Sequence, residues 1–304
     1  MDITCIICKE SKNEDEFNEE HVFPESIAGK YKIHNVCKDC NSHLGKTIDS
    51  KFIKSGVIRA LNHKLKIENK NGKVVPYFPD SVVNSKDKSI ILKTEFENKG
   101  NLKDTEFKTT VHDNIVRFDE SKNINTLLSE LDILYKKNKL DFLKDIENEE
   151  EKKNYFLEFK EKIKEKFENK EFTSSKDPID YISTTRGEEI ILESLKISYE
   201  LTHEILGEEY FNDPLCEVFR KCLEKGKLDN NFDSEINFKG IDKSINHVSN
   251  FHYFVLIKHD NTLISSVILY NTFISTFTVS EDANRYKLKK MFYEIFNENN
   301  DLID

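Results

Sequence analysis

Two Cys-x2-Cys pairs, Cys5–Cys8 and Cys37–Cys40, stand 28 residues apart near the start of the 304-residue chain. They constrain it more than any other feature. Two such knuckles offer four thiolates at tetrahedral reach, the donor set of a closed structural zinc site. A segment of about 50 residues buries too little apolar surface to hold itself together, so zinc would supply much of its folding free energy. The competing reading, free or redox thiols, asks for a βαβ context around one pair, and the sequence has none there. Cys216 and Cys222 lie six apart among Leu215, Val218, Phe219 and Leu223, and read as small buried hydrophobes on a helix.

Cysteines that hold metal rather than disulfides suit a reducing compartment. Met1-Asp2-Ile3-Thr4-Cys5 carries no basic segment leading into an apolar one, so no signal peptide is read there. No run approaches the roughly 18 apolar residues of a membrane span. The expectation is a cytoplasmic protein without a membrane partner. The composition is 37% hydrophobic and 34% charged, with 22 phenylalanines and 11 tyrosines in place of tryptophan. That is enough for a core, and it excludes a wholly disordered chain and a disulfide scaffold.

The net charge of −10 argues against indiscriminate binding to nucleic acid. The total hides a local contrast. Residues 1–29 carry two lysines against eight acids, whereas residues 30–66 carry eight lysines and Arg59 against Asp39 and Asp49. Lys30, Lys32, Lys38, Lys46, Lys51, Lys54 and Arg59 are the candidates for tracking a phosphate backbone. Each of them taken singly reads as an ordinary solvated side chain.

Between the knuckles lies Glu20-His21-Val22-Phe23-Pro24, and Asn41 follows the second knuckle directly. Glu20 offers a hard carboxylate and Asn41 a carbonyl oxygen, a partial oxygen set of the kind that leaves waters and a phosphate to complete a Mg²⁺ shell. The imidazole of His21, with an unperturbed pKa near 6.5, suits proton abstraction from water. Neighbours on a strand point to opposite faces, so Glu20 and His21 share a site only if the backbone bends.

Elsewhere the periodicity predicts a helix from Asn41 to about Lys54, continuing with or without a break at Gly56 through Leu65. Strands are predicted at Val74–Phe78, Ile90–Thr94 and Phe107–Phe118. Residues 125–170 read as charged helix with Phe156, Phe159, Ile163 and Phe167 in one stripe. Helices Glu188–Leu206 and Leu215–Leu223 follow, then a meander of Phe251–Ile257, Leu263–Tyr270 and Phe273–Val279, and a closing helix Arg285–Phe296. The spacings of His247, His252 and His259 argue against a metal trio on that meander.

Cys5-Ile-Ile-Cys8, Glu20-His21-Val22-Phe23-Pro24-Glu25 and Val36-Cys37-Lys-Asp-Cys40-Asn41-Ser-His-Leu-Gly45-Lys-Thr-Ile-Asp49 together resemble the zinc-ribbed branch of the HNH endonucleases. The resemblance covers about a sixth of the chain. Beyond residue 55 the predicted elements read as a larger mixed α+β domain with antiparallel strands at 56–304, with an internal break near 173–178, an α+β chain overall; the resemblance implies an N-terminal treble-clef ββα-metal module at 1–55. It also implies one structural zinc on Cys5, Cys8, Cys37 and Cys40, and one catalytic Mg²⁺ or Mn²⁺ on Glu20 and Asn41. His21 is the implied general base. The family's middle asparagine has no match at its usual offset. Asn35 is either its substitute or a loop residue capping a turn, and His34 and His43 are also near enough to substitute, with His43 ranked well below Asn41.

The expected activity is metal-assisted hydrolysis of DNA phosphodiesters, with a role in bacterial defence against foreign DNA drawn from analogy. A non-cleaving zinc-finger nucleic-acid-binding module and a nuclease gated by a small molecule or protein activator are the rivals. A C2 homodimer would suit paired strand cuts.

Overall fold

The computed structural model describes residues 2–69, 71–85, 88–112, 114–173, 187–228, 235–238, 248–288 and 292–296. The fold is mixed α+β with antiparallel sheets, as expected. It divides into two compact units, residues 1–77 with 183–304, and residues 78–182.

The first unit begins with the knuckles. β1 (Asp2–Thr4) pairs antiparallel with β2 (Ser11–Asn13) across the Cys5–Cys8 turn. β3 (Glu20–His21) pairs with β4 (Lys32–Ile33), setting His21 opposite Lys32. Cys37 caps α1 (Lys38–Leu44), and the chain runs through a π-turn at Gly45–Asp49 into α2 (Ser50–Lys54). Ser55 is extended and starts α3 (Gly56–Lys64), so the long predicted helix breaks one residue before Gly56. Leu44, Ile48 and Phe52, spaced by four, are buried together.

Helix α6 (Gly187–Leu206) is the spine of this unit. Its residues from Leu192 to His203 are all buried, charged ones included. One side meets the π-turn and α2, and another lies on the C-terminal sheet. The sequence spacing places Ile191, Leu195, Ser198/Tyr199, Thr202 and Leu206 along one side; the tertiary fold covers the other sides as well. α7 (Pro214–Lys225) is capped by Asp213, whose side chain accepts from the Leu215 N–H, and it stops at Gly226. Cys216 and Cys222 are buried on it, as their apolar neighbours suggested.

The sheet has the order β10 (Glu235–Phe238), β13 (Phe273–Ser280), β12 (Thr262–Leu269), β11 (Tyr253–His259), β14 (Phe292–Phe296). The predicted meander is present, and Tyr270 and Asn271 at positive φ make its second turn. Alternate residues Leu263, Ser265, Val267 and Leu269 face inward, as do Phe273, Ser275, Phe277 and Val279. The predicted closing helix is corrected. Ala283–Arg285 forms only a 3₁₀ turn, and β14 pairs antiparallel with β11. An open sheet edge beside an aromatic, β-branched segment outweighs its helical spacing.

In the second unit β5 (Ser81–Val83), β6 (Ile91–Phe96) and β7 (Leu102–Phe107) form one sheet. The predicted strand at 107–118 is instead a hairpin, β8 (Thr110–His112) with β9 (Ile115–Arg117), turned at Asn114 with φ 63°. Val74 makes only an isolated bridge to Glu68, so no strand forms at 74–78. The helical stretch read at 125–170 consists of two helices, α4 (Ile124–Lys136) and α5 (Glu149–Glu168), the first followed by Asn138 in the left-handed region at φ 51°. Phe156 stacks on Tyr135 with ring centroids 4.3 Å apart, and Phe159 and Ile163 flank the same small core. The segment 173–178 falls outside the described residues beyond 173. Among those described, no helix is long and apolar enough to cross a membrane.

Candidate active site and zinc centre

The four sulfurs of Cys5, Cys8, Cys37 and Cys40 all lie within 4.8 Å of one another, with Cys8 and Cys37 at 4.0 Å. Backbone does the positioning. The Cys5 N–H donates to Glu10 O (3.0 Å) and the Lys9 N–H to Cys5 O (2.9 Å), closing the first knuckle. The Cys37 N–H donates to Cys5 Sγ at 3.3 Å, joining the two. Accepting a hydrogen bond from the Cys40 thiol, with further N–H groups behind it, pulls Cys5 down to about 4, while burial pushes Cys8 up to about 11. The hydrogen bond it gives Cys5 pushes Cys40 up. Four clustered sulfurs sharing protons in this way form the donor set that fits zinc, which replaces those protons with one cation. Lys12 Nζ stands 3.6 Å from Cys37 Sγ and pairs with Glu10 at 3.1 Å.

Glu20 and His21 make up the two-residue strand β3, Glu20 opposite Ile33 and His21 opposite Lys32. The Glu20 carboxylate turns inward, leaving the residue 3% exposed, and its Oε1 meets Lys196 Nζ at 2.7 Å. Lys196 also reaches Asp49 Oδ1 at 3.0 Å and the His21 carbonyl oxygen at 3.5 Å. Burial raises the Glu20 carboxyl above its usual range, against the pull of Lys196. His21 is half-buried, and its Nδ1 is enclosed without a hydrogen-bond partner among the described residues. Asn41, half-buried on the first turns of α1, donates from Nδ2 to Asn18 Oδ1 (3.2 Å) and Glu19 O (3.1 Å). Its amide is thereby fastened to the residue before Glu20, and its Oδ1 accepts from no described residue.

Asn35 is not hydrogen-bonded to His21. Its Oδ1 is buried without a partner, and its carbonyl accepts from the Ile6 N–H at 3.0 Å, tying the knuckles. His34 is exposed, and His43 turns to α7, its Nε2 2.8 Å from Glu224 O. Of the basic candidates, Lys30, Lys46 and Lys54 are exposed. Lys32 pairs with Glu19, Lys38 with Asp15 O, Lys51 with Gly226 O at 3.4 Å, and Arg59 with the carbonyls of Pro76 and Tyr77. Lys196, Asp49, Glu193 and Glu200 were not singled out from the sequence as site groups. The available signal was only that Glu193, Lys196 and Glu200 fall on one helix face at spacings of three and four.

The oxygen donors present fit a hard divalent cation. Glu20 has one oxygen committed to Lys196, Asn41 offers Oδ1 beside the same strand, and His21 Nδ1 is buried with no hydrogen-bond partner among the described residues.

A hairpin and a helix clasped by two Cys-x2-Cys knuckles define a zinc-ribbed module. Residues 5–56 match the model of the HNH endonuclease family, and the four clustered cysteines fit its zinc-ribbed form. No curated protein and no solved structure matches the chain.

Proposed function

We propose that the chain is a metal-dependent DNA endonuclease of the HNH type, with residues 1–55 carrying the hydrolytic groups. The observation that carries this reading is the family match over residues 5–56 together with Asn41 fastened at Glu19, beside Glu20 and His21. Glu20 and Asn41 would hold Mg²⁺ or Mn²⁺ through oxygen. When bound, that ion supplies positive charge at the phosphate and the leaving 3′ oxygen. His21 takes the proton from the attacking water at Nε2, since Nδ1 is enclosed. Lys30, Lys46 and Lys54 meet the DNA backbone without reading sequence, so cleavage weakens as salt rises. A role in defence against foreign DNA belongs to the same proposal and rests on analogy alone.

Supercoiled plasmid, incubated with wild type and His21→Ala in Mg²⁺, Mn²⁺ or chelator, tests the reading, with zinc content measured in both proteins. The expected result is a loss of cleavage of about 100-fold or more in a folded, zinc-loaded variant. If both proteins shift DNA and neither cuts it in any form, the module is a nucleic-acid binder instead.

A further inference from the structure

Helix α6 brings a fully buried ammonium to the short strand that carries Glu20 and His21. Lys196 Nζ stands 2.7 Å from Glu20 Oε1, 3.0 Å from Asp49 Oδ1 and 3.5 Å from the His21 carbonyl oxygen. Three acceptors match the three donors of an ammonium. Glu193 and Glu200, on the same helix face, are fully buried, and their carboxylate oxygens have no hydrogen-bond partner among the described residues. Of these four acids Lys196 pairs directly with two, Glu20 and Asp49. A buried charge cluster of this kind is poor at stabilising a fold, because an apolar core of equal volume does as well or better. What the arrangement does accomplish is geometric. It fixes one oxygen of the Glu20 carboxylate and the backbone of the next residue to a single point on the spine of the unit.

We propose that Lys196 is a positioning residue for hydrolysis: it sets the Glu20 carboxylate relative to His21, so that α6 completes a site whose reacting groups all lie in residues 1–55. This rests on the hydrolytic reading of Glu20 and His21. The lysine uses Oε1, so the other carboxylate oxygen remains for a divalent ion. A displacement of about 1 Å at such a centre costs about 100-fold in rate. The ammonium also repels a cation held on the same carboxylate, so its removal should tighten ion binding while slowing the reaction.

The test compares Lys196→Met and Lys196→Arg with wild type in the full chain. Zinc content, melting temperature, plasmid cleavage at saturating Mn²⁺ and Mn²⁺ binding followed by electron paramagnetic resonance are measured on each. Lys196→Met is expected to keep its zinc, bind Mn²⁺ at a several-fold lower concentration and cleave about 100-fold more slowly at saturation, with partial rescue in Lys196→Arg. A folded Lys196→Met with wild-type cleavage and wild-type Mn²⁺ binding overturns the proposal. So does a variant whose only change is a lower melting temperature. Should Lys196→Met not fold, Asp49→Asn, which frees one anchor of the ammonium, should still slow cleavage several-fold with zinc retained; unchanged cleavage there overturns the proposal equally. A wild type that neither cuts DNA nor binds Mn²⁺ overturns the hydrolytic reading, and the positioning role falls with it.

Discussion

His252 joins two distant backbone segments through one neutral ring. The Tyr270 N–H donates to Nδ1 (2.9 Å), so Nε2 carries the proton and donates to Ile27 O (3.0 Å). A charged ring would have no acceptor for Tyr270, and burial pushes the pKa down to about 4. The folded value lies below the unfolded value near 6.5, so the unfolded chain takes up the proton first. The stabilisation is complete above pH 6.5 and is lost as pH falls toward 4, by up to about 3 kcal/mol. Melting temperature should therefore drop across that window. His252→Gln should be less stable at pH 7 and show a shallower acid slope, though His203, lowered to about 3 by its own burial, keeps some slope in the variant. An equal slope in both proteins would remove His252 as the cause. The thiolates act at the same scale. Cys37→Ser should lose zinc and unfold the knuckles, seen as an absent zinc signal and exposed thiols.

Short elements depend on close approaches that larger residues forbid. A Cβ at Gly29 would lie 1.9 Å from Phe23 O, in the loop that follows His21. No side-chain movement relieves a clash with backbone, so Gly29→Ala should cost about 3 kcal/mol or more and lower the melting temperature accordingly. Gly226 ends α7 at φ 60°, and a Cβ there would approach Thr47 Cβ to 2.8 Å. Gly226→Ala should also destabilise, because Thr47 Cβ moves only with its own backbone and φ 60° strains any residue that carries a Cβ. The predicted helix Leu215–Leu223 lies inside α7, whose ends are set by Asp213 and Gly226, whereas the caps Asn123 and Asn148 of α4 and α5 were not read from the sequence. The β-meander was legible from alternation. β14 was not, because its helical spacing of apolar residues fits a strand equally well until the bare edge of β11 decides between them.

At the scale of the molecule, residues 183–304 hold the knuckle module from several directions. Tyr199 OH donates to Ile6 O, Arg220 to Ile7 O at 3.3 Å, His252 to Ile27 O, and the Asn62 side chain, itself held by Tyr270 OH, to Ser26 O at 3.1 Å. Val22, Phe23, Ile27, Ile48 and Phe52 lie in one core with Leu195, Tyr199, Phe254 and Tyr270. A fragment of residues 1–77 should therefore fail to fold around zinc, because its apolar faces lose their cover. Replacing residues 78–182 with a flexible linker should leave the rest of the chain folded and zinc-loaded, since that segment is a compact unit with its own core. Zinc content and a cooperative melt of the two truncations would check both outcomes; a soluble, zinc-bound 1–77 would show the module to be self-sufficient.

What the sequence by itself determined is local. Two Cys-x2-Cys knuckles can close only on one another, because four thiolates satisfy one metal at short range, and Glu20, His21 and Asn41 are placed by the same few turns of chain. What only the tertiary structure decided is which groups at a distance complete that neighbourhood. Lys196 reads in sequence as one more charge on a charged helix. It becomes the partner of Glu20 and Asp49 only when α6 is buried between the knuckle module and the sheet. Burial strips water from a charge and leaves it to find its partners among whatever residues the fold brings near, and no local spacing records which those are.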